Sequence, residues 1–174
     1  MIFKPWKPLA FCIAAACAGQ AFAQSGDRAA AHDDWSVFVA ATPKECYIVS
    51  QPTKSVARRG GKPTEVQRGD IRLFVSFRPD DNVSNEVSFS AGYPLKDTVS
   101  MTVGADSFNL IPGQGDGGEW AWTDPSDDSR AVAAMRRGVT AVLKGTSTRG
   151  TDTEDTFSLS GFTAAIEDAA ARCR

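Results

Sequence analysis

The chain has 174 residues, 21 acidic against 19 basic side chains, a formal net charge of −2 and a single histidine. A length of this order fits one domain with a real core, and a mildly acidic balance argues against general binding of nucleic acid or of anionic membranes. The N-terminus is set aside first. Lys4 and Lys7 form a short basic region, Leu9 to Ala18 is apolar, and Ala21-Phe22-Ala23 is an A-x-A site. Together these predict a secretory signal peptide over residues 1–23, cleaved before Gln24. The apolar run is too short for a spanning helix, which needs about 20 residues, and no other stretch predicts a transmembrane span. Its removal takes away two lysines and no acids, leaving 17 basic against 21 acidic residues, a net of −4.

Residues 24–33 are polar and alanine-rich and predict a flexible leader that carries His32, the one histidine. A single domain is expected over 34–174. Trp35, Val37 and Val39 alternate in a first strand. Thr42-Pro43-Lys44 turns into a second, Cys46 to Gln51, and the pair predicts a hairpin with Trp35 facing the core. Pro52 to Gly69 is a polar connection rich in arginine and lysine: Arg58, Arg59, Lys62 and Arg68. It reads as a solvated hairpin tip, and its functional reading is a basic loop that touches an acidic partner. Ile71, Leu73, Val75 and Phe77 alternate strictly, with Phe74 on the other face, and Pro79 ends the strand. Val87, Phe89 and Ala91 make the next, broken by Gly92-Tyr93-Pro94. Val99 to Val103 and Phe108 to Leu110 predict a tight hairpin with Gly104 at the first turn position.

Pro112 to Glu119 is glycine-rich, but it leads into Trp120-Ala121-Trp122, which alternates like a strand. A phosphate-binding loop would lead into a helix, so a flexible hairpin connection is expected. Trp120 and Trp122 read either as core packing or as a surface patch able to bind glycan or protein. Asp124-Pro125 supplies a cap and a proline at the first helical position. Asp127 and Asp128 place negative charge on the first turn, Arg136 and Arg137 place positive charge on the last, and Gly138 stops the helix. A strand from Val139 to Lys144, a turn at Arg149-Gly150 and a return strand through Phe157 and Leu159 follow. Ser160 then caps a last helix whose apolar face is Phe162, Ile166, Ala169 and Cys173. Roughly eight short antiparallel strands with two short helices in the C-terminal third make a mainly β chain, a single domain built as a β-sandwich or a barrel.

The run AMRRG, then VLKGTSTRGTDTEDTFSLSGFTAAI and Cys173, resembles the C-terminal signature of the bacterial invasion-associated locus B family. Trp35-Ser36-Val37, Cys46 to Gln51 and Gly92-Tyr93-Pro94 also fit that family. The resemblance implies a β-sandwich-like exported domain, and for its members a link to host-cell invasion, of red cells in particular. Many members carry further cysteines, one near the place of Val39 and a central pair; this chain has neither.

Of four cysteines, Cys12 and Cys17 leave with the signal peptide. The remaining pair, Cys46 and Cys173, favours a disulfide in an exported chain, with no C-x-x-C to suggest a redox thiol. The one histidine falls in the expected leader, which argues against a Ser-His-Asp or Cys-His site. No residue set predicts zinc, a calcium loop or any other cofactor. The acidic clusters Asp80-Asp81, Asp124 with Asp127-Asp128, and Asp152 with Glu154-Asp155 read as turns or a helix start. No catalytic residue is predicted. The expectation is therefore a non-enzymatic periplasmic, secreted or outer-envelope protein that binds a protein or envelope component. Its candidate surface is Arg58, Arg59, Lys62, Arg68, Trp120 and Trp122. The alternative is a carboxylate-based hydrolase of envelope glycans.

Overall fold

The computed structural model describes residues 26–115 and 118–174. The predicted signal peptide and its cleavage site lie outside the described residues. Among the described residues twelve strands are formed: β1 (Asp27–His32), β2 (Trp35–Ala41), β3 (Lys44–Ser50), β4 (Lys54–Arg59), β5 (Lys62–Pro63), β6 (Arg72–Arg78), β7 (Val83–Ser90), β8 (Val99–Val103), β9 (Asp106–Pro112), β10 (Trp120–Thr123), β11 (Thr140–Thr146) and β12 (Asp152–Ser158). Two α-helices, α1 (Pro125–Arg137) and α2 (Phe162–Arg172), fall in the C-terminal third. All strands pair antiparallel in one sheet, in the order β1-β2-β3-β6-β7-β10-β9-β8-β11-β12-β4-β5.

That sheet is folded over on itself. Five strand steps separate β7 from β12, about 24 Å in a flat sheet at about 4.8 Å per step. Yet Phe89 of β7 meets Phe157 of β12 edge-on, with ring centroids 6.2 Å apart. Trp35 of β2 donates its indole N–H to the carbonyl of Ser158 at the end of β12, 3.0 Å away. Two halves of one sheet therefore face each other across a single core, as a sandwich does. The inward parity of each strand fills it: Trp35 and Val37, Cys46 and Ile48, Leu73 and Val75, Val87 and Phe89, Met101, Leu110, Leu143 and Phe157 are all buried. Each large apolar side chain so buried contributes about 1.5–3 kcal/mol.

The helices close this core from the inner side. Asp124 accepts the Ser126 backbone N–H at the start of α1, and Pro125 occupies the first turn. Gly138 ends that helix in extended backbone, and a side chain there has no room: a Cβ would stand 2.5 Å from Val103 Cγ1. The following strand starts one residue later than expected, leaving Val139 82% exposed. Helix α2 buries Phe162, Ile166 and Ala169, and Phe162 meets Trp35 edge-on at 5.0 Å. Just past it, Cys173 is bonded to Cys46 of β3, with Cα atoms 5.8 Å apart and 127 residues between them in sequence. The bridge ties the start of the domain to its end.

Three expectations need correction. Residues 27–32 do not form a flexible leader: they make edge strand β1, paired with β2 from Asp27↔Val39 to His32↔Trp35 with one irregularity between Arg28 and Ala30. Backbone hydrogen bonds hold it, so its polar composition gave no apolar alternation to read. The Pro52–Gly69 connection contains β4 and β5, joined by Gly60-Gly61 at positive φ, and β4 pairs with β12. Ser160 does not cap α2. Gly161 does, at φ +82°, because a Cβ there would lie 2.0 Å from the His32 carbonyl oxygen, and the Ser160 hydroxyl instead donates to Asp33.

Candidate binding face

The helices cover inward-facing side chains, so the outer face of β2, β3, β6, β7 and β10 keeps its own residues uncovered. Alternation decides what stands there. On β6, Leu73, Val75 and Phe77 point in, while Phe74, Ser76 and Arg78 point out. On β3, Cys46 and Ile48 point in, while Glu45 and Tyr47 point out. On β10, Ala121 and Thr123 are buried, and Trp120 and Trp122 stand outside, half-buried. The register then lines the outward rings up across strands. Phe38 of β2 pairs with Tyr47 of β3, and their rings stack at 5.1 Å with 6° between planes. Tyr47 meets Phe74 at 6.0 Å, Phe74 meets Trp120 at 5.1 Å, and Trp120 stacks on Trp122 at 6.2 Å. Ile111 of β9, 56% exposed, pairs with Trp122 and continues the row.

Between the rings lie small residues. Ser76, Ser88 and Ser90 point outward yet are buried, because the aromatic side chains lean over them. The result is a shallow groove of about 300 Å³ with Ser76 and Ser88 as floor and Tyr47, Phe74, Trp120 and Trp122 as walls. Its far end is charged. Arg78 reaches Glu86 at 2.8 Å, Glu45 at 3.4 Å and Asp81 at 3.8 Å. The Glu86 hydrogen bond raises the affinity of Arg78 for its proton, against a smaller opposing effect of burial. Burial, helped by Glu45, pushes the Tyr47 phenol above its ordinary range. The face is therefore an aromatic-walled groove with an ion-paired end.

The basic residues are divided. Arg58 and Lys62 are exposed on the β4–β5 hairpin, and Arg59 donates from Nε and a terminal nitrogen to the Thr151 hydroxyl at 3.2 and 2.8 Å. Arg68, expected on the same surface, is only partly exposed, and its side chain turns inward. Its two terminal nitrogens hold the two oxygens of Asp155 at 2.8 and 2.7 Å, with side-chain exposures of 8% and 0%. It also donates to the Ala91 carbonyl and lies over the Tyr93 ring at 4.8 Å. Ser55 donates a third bond to Asp155. Arg68 thus spends most of its hydrogen-bonding capacity on an acid that the parity of β12 turns inward. Arg58, Arg59, Lys62 and Arg68 do not line the groove that Trp120 and Trp122 wall. Of the candidate residues, the structure brings Trp120 and Trp122 together with Phe74, Tyr47 and Phe38, and places the basic set elsewhere.

Sequence reasoning missed Asp155, which shares the parity of Thr153 and Phe157 and so belongs inside. It also missed Asp128. This carboxyl is buried, accepts the Val87 N–H at 3.2 Å and the Thr123 hydroxyl, and has its pKa raised, chiefly by desolvation. The histidine is part of the folded domain: His32 Nε2 lies 3.1 Å from Asp168 Oδ2 on α2, and Arg172 holds the same carboxylate at 2.7 Å. The pair is partly exposed, and among the described residues no hydroxyl or thiol hydrogen-bonds its other nitrogen.

An antiparallel sheet folded around one core, closed by two late helices and stapled from β3 to the penultimate residue, defines a small disulfide-bonded β domain. The chain belongs to the invasion associated locus B family, whose model matches residues 35–170. It matches no curated protein and no solved structure. Among the described residues, no helix is long and apolar enough to cross a membrane.

Proposed function

We propose that this chain is an exported, non-enzymatic binding protein of the periplasm or outer envelope, released by cleavage near Ala23-Gln24. It engages its partner through the aromatic face of β2, β3, β6 and β10. One observation supports this above the others: five rings from four strands form one continuous, partly exposed row. A contiguous apolar surface rimmed by polar groups marks interaction sites more often than isolated exposed residues do, and buried or half-buried Trp and Tyr carry most of the energy where partners meet. The bridge fits an oxidising compartment. The family's name points to invasion, and the link of similar proteins to red cells makes the host-cell surface one setting for such a partner.

The hydrolase reading is weaker on chemical grounds. Among the described residues the two buried carboxylates are both engaged by the protein itself, Asp155 by Arg68 and Ser55, Asp128 by Val87 and Thr123. The test uses the mature, oxidised protein immobilised and exposed to envelope fractions and to intact red cells. The double variant Trp120→Ala, Trp122→Ala should lose at least tenfold in capture, and the triple variant Arg58→Ala, Arg59→Ala, Lys62→Ala should keep it. Equal retention by both variants would remove the aromatic face as the site.

A further inference from the structure

We propose that the groove walled by Tyr47, Phe74, Trp120 and Trp122 is a subsite for an uncharged saccharide. The proposal rests on the aromatic face being the binding surface and names the chemistry it recognises. Four features of the groove narrow the ligand. The strands that form it, β3, β6, β7 and β10, are each paired on both sides, so no backbone edge is open for an added strand. Recognition must therefore come from side chains. The walls are aromatic rings and the floor is serine, which suits a ligand with apolar C–H faces and a dense set of hydroxyls.

The ionic end sets the charge of that ligand. One guanidinium, Arg78, sits among three carboxylates, Glu45, Asp81 and Glu86. An anion would meet more negative than positive charge there. A ligand cation would have to compete with Arg78 for Glu45 and Glu86, which it already pairs. An uncharged hydroxyl meets neither penalty. Each carboxylate engaged by Arg78 keeps lone pairs that accept from hydroxyls, and serine hydroxyls both donate and accept. The ion pairs also hold Glu45 and Glu86 in place before a ligand arrives, which lowers the entropy lost on binding. A groove of about 300 Å³ is at the small end for a ligand site, enough for one or two sugar rings rather than a long chain.

The experiment titrates the mature, disulfide-intact chain with maltotriose, N,N′,N″-triacetylchitotriose, sialyllactose and choline, following tryptophan emission. Trp120 and Trp122 make up two of the three tryptophans outside the signal peptide, and the third, Trp35, is fully buried. Saturable emission shifts are expected with at least one neutral trisaccharide. Both Trp122→Ala and Glu86→Gln should weaken binding tenfold or more, and both variants should keep a cooperative melt. A response to choline or sialyllactose with none to the neutral sugars would overturn the assignment. Neutral-sugar binding unchanged in both variants would place the sugar elsewhere and overturn it too. If no sugar binds but the tryptophan double variant still loses envelope capture, the saccharide falls and the aromatic face stands; if both are silent, both readings fall. Release of shorter sugars from the trisaccharides would sink the non-enzymatic reading.

Discussion

The Arg68–Asp155 pair and the ring row from Phe38 to Trp122 are opposite departures from the usual partition of a small domain. One sets a fully buried carboxylate against a guanidinium that solvent barely reaches, and the other puts large apolar rings where solvent reaches. They differ in saturation. Asp155 accepts from both terminal nitrogens of Arg68 and from Ser55, while Arg68 also meets the Ala91 carbonyl and the face of Tyr93. The pair joins the segment before β6, the end of β7 and strand β12, three pieces far apart in sequence. Its bonding capacity is used internally, so its role is to fix the fold. The ring row touches itself on one side and solvent on the other. It keeps capacity for a partner.

The largest effect expected is on the staple that starts beside the ring row. Cys46 is on β3 beside Tyr47, and the loop it closes to Cys173 spans 127 residues. In the chain-entropy model a loop of that length contributes about 5 kcal/mol. The Cys46→Ser, Cys173→Ser variant should lose several kcal/mol in urea unfolding, and a loss under about 1 kcal/mol would remove the staple from this account. Next comes the buried pair itself. Asp155→Ala leaves Arg68 charged and unpaired inside, a change that typically costs about 3–5 kcal/mol. Arg68→Met with Asp155→Leu removes both charges and should recover much of that loss. A double variant no better than Asp155→Ala would mean that specific bonds, not charge burial, dominate.

Asp128 gives a smaller and pH-dependent effect. Desolvation, the largest cause, raises its pKa in the folded state above the unfolded value. The folded state therefore binds the proton more tightly, and stability falls as pH rises from the unfolded pKa through the folded one. Asn at this position can still accept the Val87 N–H but does not ionise. Asp128→Asn should thus have a flatter melting temperature between pH 4 and 7 than the parent, and should gain on it toward pH 7. Parallel profiles would show that the carboxyl is better solvated than its position implies.

Much of the frame was legible from residues alone. The parity of Leu73, Val75 and Phe77, the Gly104 turn, the Asp124-Pro125 start of α1 and the inward Cys173 follow from local rules that tertiary context did not overturn. Strands β1, β4 and β5 were not legible as strands, because these polar strands at the two ends of the sheet are held by backbone bonds that leave no apolar period. Asp155 was hidden by reading β12 as an acidic turn rather than by its alternation with Thr153 and Phe157. The ring row was hidden for a different reason. Phe74 is visibly out of parity with Leu73, and Tyr47 with Cys46, but their adjacency depends on the register of strands that are not neighbours in sequence. Composition gave the rings; only pairing put them in a row.

The smallest effects should fall on the rings and the hairpin, and these separate the two kinds of exposed residue. Trp122 is half-buried and stacked on Trp120 at 6.2 Å. Its replacement by Ala should cost about 1–2 kcal/mol, below the 3–5 kcal/mol of a core Trp, because one side already meets solvent. On the hairpin, Arg59 and Lys62 are directly opposed across β4 and β5, and like charges so placed repel. Arg59 regains something from the Thr151 hydroxyl; Lys62 does not share that contact. Lys62→Ala should therefore be neutral or slightly stabilising, within about 0.5 kcal/mol, and Arg59→Ala slightly destabilising on the same scale. Thermal melts at low and high salt distinguish them, since screening should erase the Lys62 gain but not the Arg59 loss. Partner capture insensitive to both changes and to salt would leave the recognition surface to the rings, whereas capture that falls with either would move it to the hairpin, about which the fold alone makes no demand.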